Sequence, residues 1–212
     1  EKMTERSEAE KIRMDCDHNS AFVRSAEKQV KTIQPPRLYD LTTLQRECNR
    51  IYGYTAQQTL DYLQSLYEKK LATYPRTDSQ YLTEDMQATA VSLVLWLRDS
   101  LPFGKGCNGE PDIDRVTDGS KVTDHHAIIP TVEIARTDLS ALPSGERDVL
   151  TLIAARLLYA TAQAYKFEAV TASLDCAGHS FTAKGKTVLQ AGWKEIDRLY
   201  RMGLKQKLEK RR

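Results

Sequence analysis

The chain predicts an α+β protein in which a mostly helical domain is inserted into a small, discontinuous, β-rich domain. Three observations carry that expectation. Residues 20–33 and 168–190 alternate apolar and polar positions with period two, as half-buried strands do. Between residues 41 and 165 the apolar residues instead recur at three- and four-residue spacing, the helical period. Gln34-Pro35-Pro36 separates the two regimes, because consecutive prolines remove backbone donors and hold the chain extended. The expected division is residues 1–36 as the first β segment, 37–166 as the helical insert and 167–212 as the returning β segment.

Each element has a local reason. Residues 3–16 read as a helix with Thr4 or Ser7 at its N-cap, broken by Asp15, Asp17, His18 and Asn19. No Gly or Pro interrupts residues 20–33, where Val23, Ala26, Val30 and Ile33 predict a long, polar strand, solvated on one face and edge-like. Leu41, Leu44 and Cys48 predict a helix that Gly53 ends. Thr55 and Gln58 form a capping box that opens a helix over 56–69, with Leu60, Leu63, Leu66 and Tyr67 on its apolar face. Thr83 caps the next helix, Glu84 and Asp85 complement its dipole, and residues 91–97 form its buried half. Four glycines and two prolines make residues 100–120 read as a surface loop. Ser144 or Gly145 opens a helix over 146–165 whose Leu150, Leu152, Ile153, Leu157 and Leu158 predict the central core helix. Residues 168–176 and 179–183 make a hairpin around Ala177-Gly178, and Lys184-Gly185-Lys186 precedes a further short strand over 186–190. The basic stretch 202–212, with Lys205, Lys207, Lys210, Arg211 and Arg212, is expected to fray.

Composition bounds the function. With 31 basic against 29 acidic residues, a net charge of +2 excludes a polycation that holds nucleic acid by bulk charge, but not a focused basic site. A mean hydropathy of −0.53, with 41% hydrophobic residues, is that of a globular chain. No apolar run approaches the roughly 20 residues of a membrane span, so no membrane partner is expected. The chain opens on Glu1, so a piece of a longer protein is expected. Cys16, Cys48, Cys107 and Cys176 are far apart, with no C-x-x-C pair and no His pair at helical spacing, so they read as reduced structural thiols and no metal site is expected.

The densest chemistry lies in Thr73-Tyr74-Pro75-Arg76-Thr77-Asp78-Ser79. Around Pro75, Tyr74 and Arg76 are two residues apart and point to one side of an extended chain. A phenol ionises near about pH 10, so it attacks only where its oxyanion is stabilised. A guanidinium offers a planar fork to phosphate oxygens while charge develops. The pair suits covalent phosphoryl transfer.

That tract, with Leu66-Tyr67 before it, resembles the active-site signature of type IA DNA topoisomerases. Leu38-Tyr39-Asp40-Leu41-Thr42-Thr43-Leu44-Gln45-Arg46-Glu47 is similar to the first helix of that family's tyrosine-bearing domain. Val122-Thr123-Asp124-His125-His126-Ala127-Ile128-Ile129-Pro130-Thr131 resembles its histidine loop, and its paired histidines look most like the topoisomerase III branch. Phe181-Thr182-Ala183-Lys184-Gly185 and Gly192-Trp193 resemble the return strands of its gate domain. The match runs in order from about residue 20 to residue 200. One departure is Ala72, where the family usually carries Leu, Ile or Val.

The resemblance implies roles. Tyr74 is the nucleophile that keeps a 5′ phosphate, so the break conserves bond energy without ATP. Arg76 clamps the scissile phosphate, and His125 donates to a phosphate or moves a proton. Asp124 orients His125, while His126 is either a second donor or a packed loop histidine. Thr77, Asp78 and Ser79 belong to the DNA-binding loop, either touching DNA or shaping the loop through caps and turns. Tyr39 and Tyr81 are either base-stacking or core residues.

The family's preceding Toprim domain, with its catalytic glutamate and its aspartates for Mg²⁺, has no counterpart here, so the magnesium of the full-length enzyme and half of the active site are expected elsewhere. The implied partners are single-stranded DNA and that Toprim domain in cis, in a monomeric, cytoplasmic, nucleoid-associated bacterial protein. The alternative is a non-catalytic single-stranded DNA binding module using Arg37, Arg46, Arg50, Lys69, Lys70 and Arg76. A tyrosine recombinase is disfavoured by chain order, because Tyr74 precedes His125.

Overall fold

The computed structural model describes residues 5–209, with side chains through Gln206. In order the elements are α1 (Arg6–Cys16), β1 (Phe22–Ile33), α2 (Leu41–Tyr52), α3 (Ala56–Glu68), α4 (Gln87–Ser100), α5 (Ser144–Thr161), β2 (Tyr165–Cys176), β3 (His179–Gln190) and α6 (Trp193–Glu209), with short 3₁₀ turns between α3 and α5. They make an α+β chain with two compact units. One gathers the chain up to Ile33 with Lys166–Gln190; the other gathers Gln34–Tyr165 with the chain from Ala191 onward.

In the first unit a three-stranded sheet runs in the order β1-β2-β3. β2 and β3 pair antiparallel, with Leu174 opposite Phe181 and Val170 opposite Gly185. Ala177 (φ 51°) and Gly178 (φ 82°) both take left-handed backbone, the twist that a two-residue hairpin loop requires. β3 runs unbroken through Lys184-Gly185-Lys186, where an interruption was expected; Gly185 stays in register with Val170, so the ladder continues past it. β1 is exposed along its whole length, and Arg24 and Lys28 pair with Asp175 (3.6 Å) and Glu168 (3.5 Å). Of the helix expected over 3–16, Met3 and Thr4 lie outside the described residues.

The second unit is built around α5, which is buried at nearly every position and packs against α3, α4 and α6. Its first turn needs Gly145: a Cβ there would meet the Tyr62 ring at 2.4 Å. α2 is capped by Asp40 and closed by Gly53, and the Thr55–Gln58 capping box opens α3.

Two expectations are corrected. Residues 100–120 are not a solvated loop: Phe103, Gly104, Gly106, Ile113 and Val116 are buried. Gly106 is there for contact rather than flexibility, since a Cβ would fall 2.9 Å from the Ile196 amide nitrogen. The second correction is the return segment. Residues from Ala191 onward join the helical unit instead of the β unit, because α6 buries Ile196 and Tyr200 against it. Within the stretch expected to fray, residues 202–209 are helical; Lys210, Arg211, Arg212 and the Lys207 side chain lie outside what is described.

Candidate active site

Tyr74 is delivered by the way α3 ends. Lys70 takes a left-handed backbone (φ 60°), the Leu71 amide donates to the Leu66 carbonyl (2.8 Å), and the Lys70 amide donates to the Tyr67 carbonyl (2.8 Å). Those two bonds make a Schellman stop, with buried Leu66 and Leu71 as its apolar contact. The chain then doubles back in extended form. Thr73 N–H donates to Ile129 C=O and Thr131 N–H to Leu71 C=O, both at 3.0 Å, and Ala72 bridges Pro130. Tyr39 bridges Ile128, the Ala127 amide donates to Tyr81 C=O (2.9 Å), and the Leu41 amide donates to Thr77 C=O (3.1 Å). The tyrosine tract, the histidine loop and the start of α2 are thus tied together by main-chain bonds. Buried Ala72 fits close against Pro130 in this ladder.

On this scaffold the Tyr74 and His125 rings lie 4.1 Å apart, centroid to centroid, with their planes 35° apart. Tyr67 meets Tyr74 edge-on at 5.5 Å, so the half-buried phenol is held between two rings. Thr77 fixes the other side: its hydroxyl donates to the His125 carbonyl (2.7 Å) and accepts from the Ser79 amide (3.1 Å). Thr73 hydroxyl donates to Ala127 C=O (3.1 Å) and accepts from the Ile129 amide (3.0 Å).

Two open depressions flank the pair. The first, about 480 Å³, is lined by Asp40, Arg76, Thr77, Asp78, Asp124 and His125 among others. The second, about 470 Å³, is lined by Tyr67, Lys70, Tyr74, His126 and their neighbours. Among the described residues, Arg76, Lys70 and Arg46 have no charge partner, whereas Lys69 is held by Glu146 (2.5 Å), Arg50 by Glu47 (2.6 Å) and Arg37 lies over the Tyr81 ring (4.8 Å). Lys121 also lies over Tyr81 (4.7 Å), and its hydrogen bond to Asp118 raises the lysine's pKa and lowers the aspartate's.

The anticipated residues therefore sort by place. Tyr74 and His125 touch; Arg76, Thr77, Asp78, Asp124 and His125 share one depression, while His126 lines the other. His126 Nδ1 faces its neighbour's carbonyl at 2.9 Å, and a carbonyl only accepts, so Nδ1 carries a proton. Ser79 is buried, its hydroxyl donating to Lys121 C=O (2.9 Å) and accepting from the Tyr81 amide (3.2 Å), so it shapes the loop and offers nothing to a ligand. Tyr39 and Tyr81 are buried, Tyr39 beneath the Arg156 guanidinium at 4.0 Å. Tyr67 and Asp40 are additions that sequence reasoning missed. Tyr67 read as part of a helix face and of the Leu-Tyr pair before the tyrosine tract, with no role of its own; the signal was its position one turn before a helix stop that folds the chain back. Among the described residues no group of three or more His, Cys, Asp or Glu side chains can hold a metal ion, so this set does not fit the magnesium implied by the resemblance. Nor is any described helix long and apolar enough to cross a membrane.

The family model described as "DNA topoisomerase" matches residues 1–210. DNA topoisomerase 3 of Bacillus cereus is 38% identical over 185 residues, 85% of this chain and 25% of that protein. DNA topoisomerase 3 of Bacillus subtilis is 39% identical over 191 residues, 83% of this chain and again 25% of its own length. The chain thus spans about a quarter of the curated relatives it matches. Among solved structures, full-length topoisomerase I from Thermotoga maritima superposes with a TM-score of 0.66 at 22% identity, over 89% of this chain and 31% of that one.

Proposed function

The chain belongs to the DNA topoisomerase family, in its type IA branch, and from that premise we propose that it carries the nucleophile of a strand-breaking isomerase acting on single-stranded DNA. The observation that supports this best is the Tyr74–His125 contact: His125 lines the depression that unpartnered Arg76 also lines, and Tyr74 lines the one beside it.

In the proposed step, Tyr74 Oη attacks the phosphorus of a phosphodiester. The bond from phosphorus to the 3′ oxygen breaks, and the 5′ phosphate stays on the tyrosine as a phosphodiester. Since one phosphodiester replaces another, the 3′ hydroxyl can reverse the step and reseal the strand without ATP. Arg76 holds the non-bridging oxygens as charge builds. His125, tilted against the attacking ring, donates to a neighbouring phosphate and fixes the direction of the phenol. Asp124 and Asp78 border the same depression and repel a strand that strays from Arg76, while Thr77 holds the histidine loop against the tyrosine tract.

Because the described residues do not fit a metal ion, no step here runs through one. We assign the proton transfers to and from Tyr74 Oη and the 3′ oxygen, and any divalent-cation requirement, to a Toprim domain outside this chain. The repeated break, passage and reseal would relax or decatenate DNA, with the β unit as hinge. A purely binding role is less well supported, since Arg37, Arg50 and Lys69 are already engaged within the protein.

The test is an end-labelled single-stranded oligonucleotide with Mg²⁺, mixed with the chain in the presence and absence of a separately produced Toprim domain and resolved under denaturing conditions. The expected result is a covalent adduct only when both parts are present, and none with Tyr74→Phe. An adduct formed by the chain alone overturns the half-site assignment; one formed by Tyr74→Phe overturns the nucleophile.

A further inference from the structure

Cys16 closes α1 and Cys176 closes β2, 160 positions apart in the chain, and the fold of the β unit brings them together. The Cys16 thiol donates to the Cys176 carbonyl at 3.5 Å. The Cys176 thiol in turn lies 3.9 Å from the Cys16 carbonyl and 3.7 Å from that of Asn19. Each sulfur thus reaches the main chain at the other cysteine, which sets the two side by side.

Both backbones are already fixed there. Asn19 Nδ2 donates to the Asp15 carbonyl (2.8 Å), His179 Nε2 bonds Asp15 Oδ2 (2.9 Å), and the two-residue turn locks Cys176 opposite His179. Both thiols are free, with Cys16 partly exposed and Cys176 buried. Burial, the Cys176 thiol and the carboxylates of Asp15 and Asp175 raise the pKa of the Cys16 thiol above its ordinary range. Cys48 and Cys107 lie in the helical unit.

We propose that Cys16 and Cys176 are a redox-active pair that closes reversibly to a disulfide, stapling α1 to the β2–β3 hairpin. The oxidant is a small-molecule disulfide. The partly exposed Cys16, as thiolate, attacks one of its sulfurs and breaks the S–S bond; half of the oxidant leaves as a thiolate and takes up a proton. The Cys176 thiolate then attacks the Cys16 sulfur and expels the other half. Two protein thiols are oxidised by two electrons and one disulfide is reduced to two thiols. The bond joins the two chain segments of the discontinuous unit, which are otherwise connected covalently only through the whole helical insert.

Oxidised glutathione added to the native 212-residue chain, followed by alkylation and peptide mapping, tests this. Expected is a mass lower by about 2 Da, a linked peptide pair containing Cys16 and Cys176, and reversal by dithiothreitol. In Cys176→Ser, glutathione attached to Cys16 persists at least about tenfold longer than in the parent, because the resolving thiol is gone. Far-UV circular dichroism checks that this variant is folded, and the parent's peptide map decides the linkage whether or not it is. Cys16 and Cys176 both still alkylatable after oxidation, equal linkage to Cys48 or Cys107, or equal persistence of the glutathione adduct in parent and variant would each overturn the proposal. None of these outcomes depends on the chemistry of Tyr74.

Discussion

Arg76 is exposed and unpaired, so its fork is free for a phosphate, and its geometry matters as well as its charge. Arg76→Lys keeps the charge but loses the bidentate grip. Adduct yield with the complementing domain is expected to fall at least about tenfold, since one lost charge-assisted hydrogen bond is worth about 1.5–3 kcal/mol. A yield within about twofold would mean that only charge counts. Ser79 makes the opposite case. Ser79→Ala leaves the Tyr81 amide and the Lys121 carbonyl without their partner in a buried place, and is expected to cost about 1–3 kcal/mol in urea unfolding. Adduct formation per folded molecule is expected to stay the same. At this scale the grouping of the candidate site was legible, because Tyr74, Arg76 and His125 sit in tracts whose residue types suggest a chemistry and the fold brings those tracts together. The dividing line between touching a ligand and holding the loop was not, since a threonine, aspartate or serine can do either. Burial separates Ser79 from Asp78, and burial depends on residues as distant in sequence as Lys121.

Among elements, the stop of α3 sets where Tyr74 goes, and it uses a lysine where the left-handed backbone favours glycine. Lys70→Gly relieves a strain of about 1 kcal/mol and is expected to raise the urea midpoint accordingly; a lower midpoint would mean that the lysine's stem packs usefully over the turn. The start of α5 behaves in reverse. Gly145→Ala forces a methyl against the Tyr62 ring and is expected to destabilise by about 1–3 kcal/mol, despite alanine's better helix propensity. Capped helices such as α2 and α3 were legible because Asp40, Gly53, Thr55 and Gln58 mark their ends locally. α6 was not. Ile196, Leu199, Tyr200 and Leu204 carry the helical spacing, but the first three were counted with the returning β segment and Leu204 with the basic stretch expected to fray. The stretch 100–120 failed for a related reason, because glycines that permit close packing look in sequence like glycines that permit a turn.

Across the helical unit, buried and half-buried tyrosines tie together elements remote in sequence: Tyr52 of α2 and Tyr200 of α6 share a 2.5 Å hydrogen bond, and Tyr39 lies under Arg156 of α5. Nothing in a linear pattern pairs residues 148 positions apart, so this layer was invisible before the fold was known. It has a pH consequence. Burial raises the pKa of Tyr39 well above its ordinary value, more than Arg156 offsets, and burial also raises Tyr52, Tyr159 and Tyr200. The same cause pushes Cys48 up to about 12 and Cys107 to about 11. All six are neutral acids. Below their ordinary pKa values the folded and unfolded chains both keep these protons, so stability does not change with pH through them. Above those values the unfolded chain releases protons that the folded chain retains, and stability falls by about 1.4 kcal/mol per pH unit for each group. The urea midpoint is therefore expected to decline from about pH 9, where the thiols begin to ionise in the unfolded chain, and more steeply above about pH 10, where the phenols follow. Tyr200→Phe is expected to remove one group's share of the steep part, at the cost of the bond to Tyr52. A midpoint that holds constant to pH 11 would mean that these groups ionise as readily folded as unfolded, and that the α2–α6 contact is open to water.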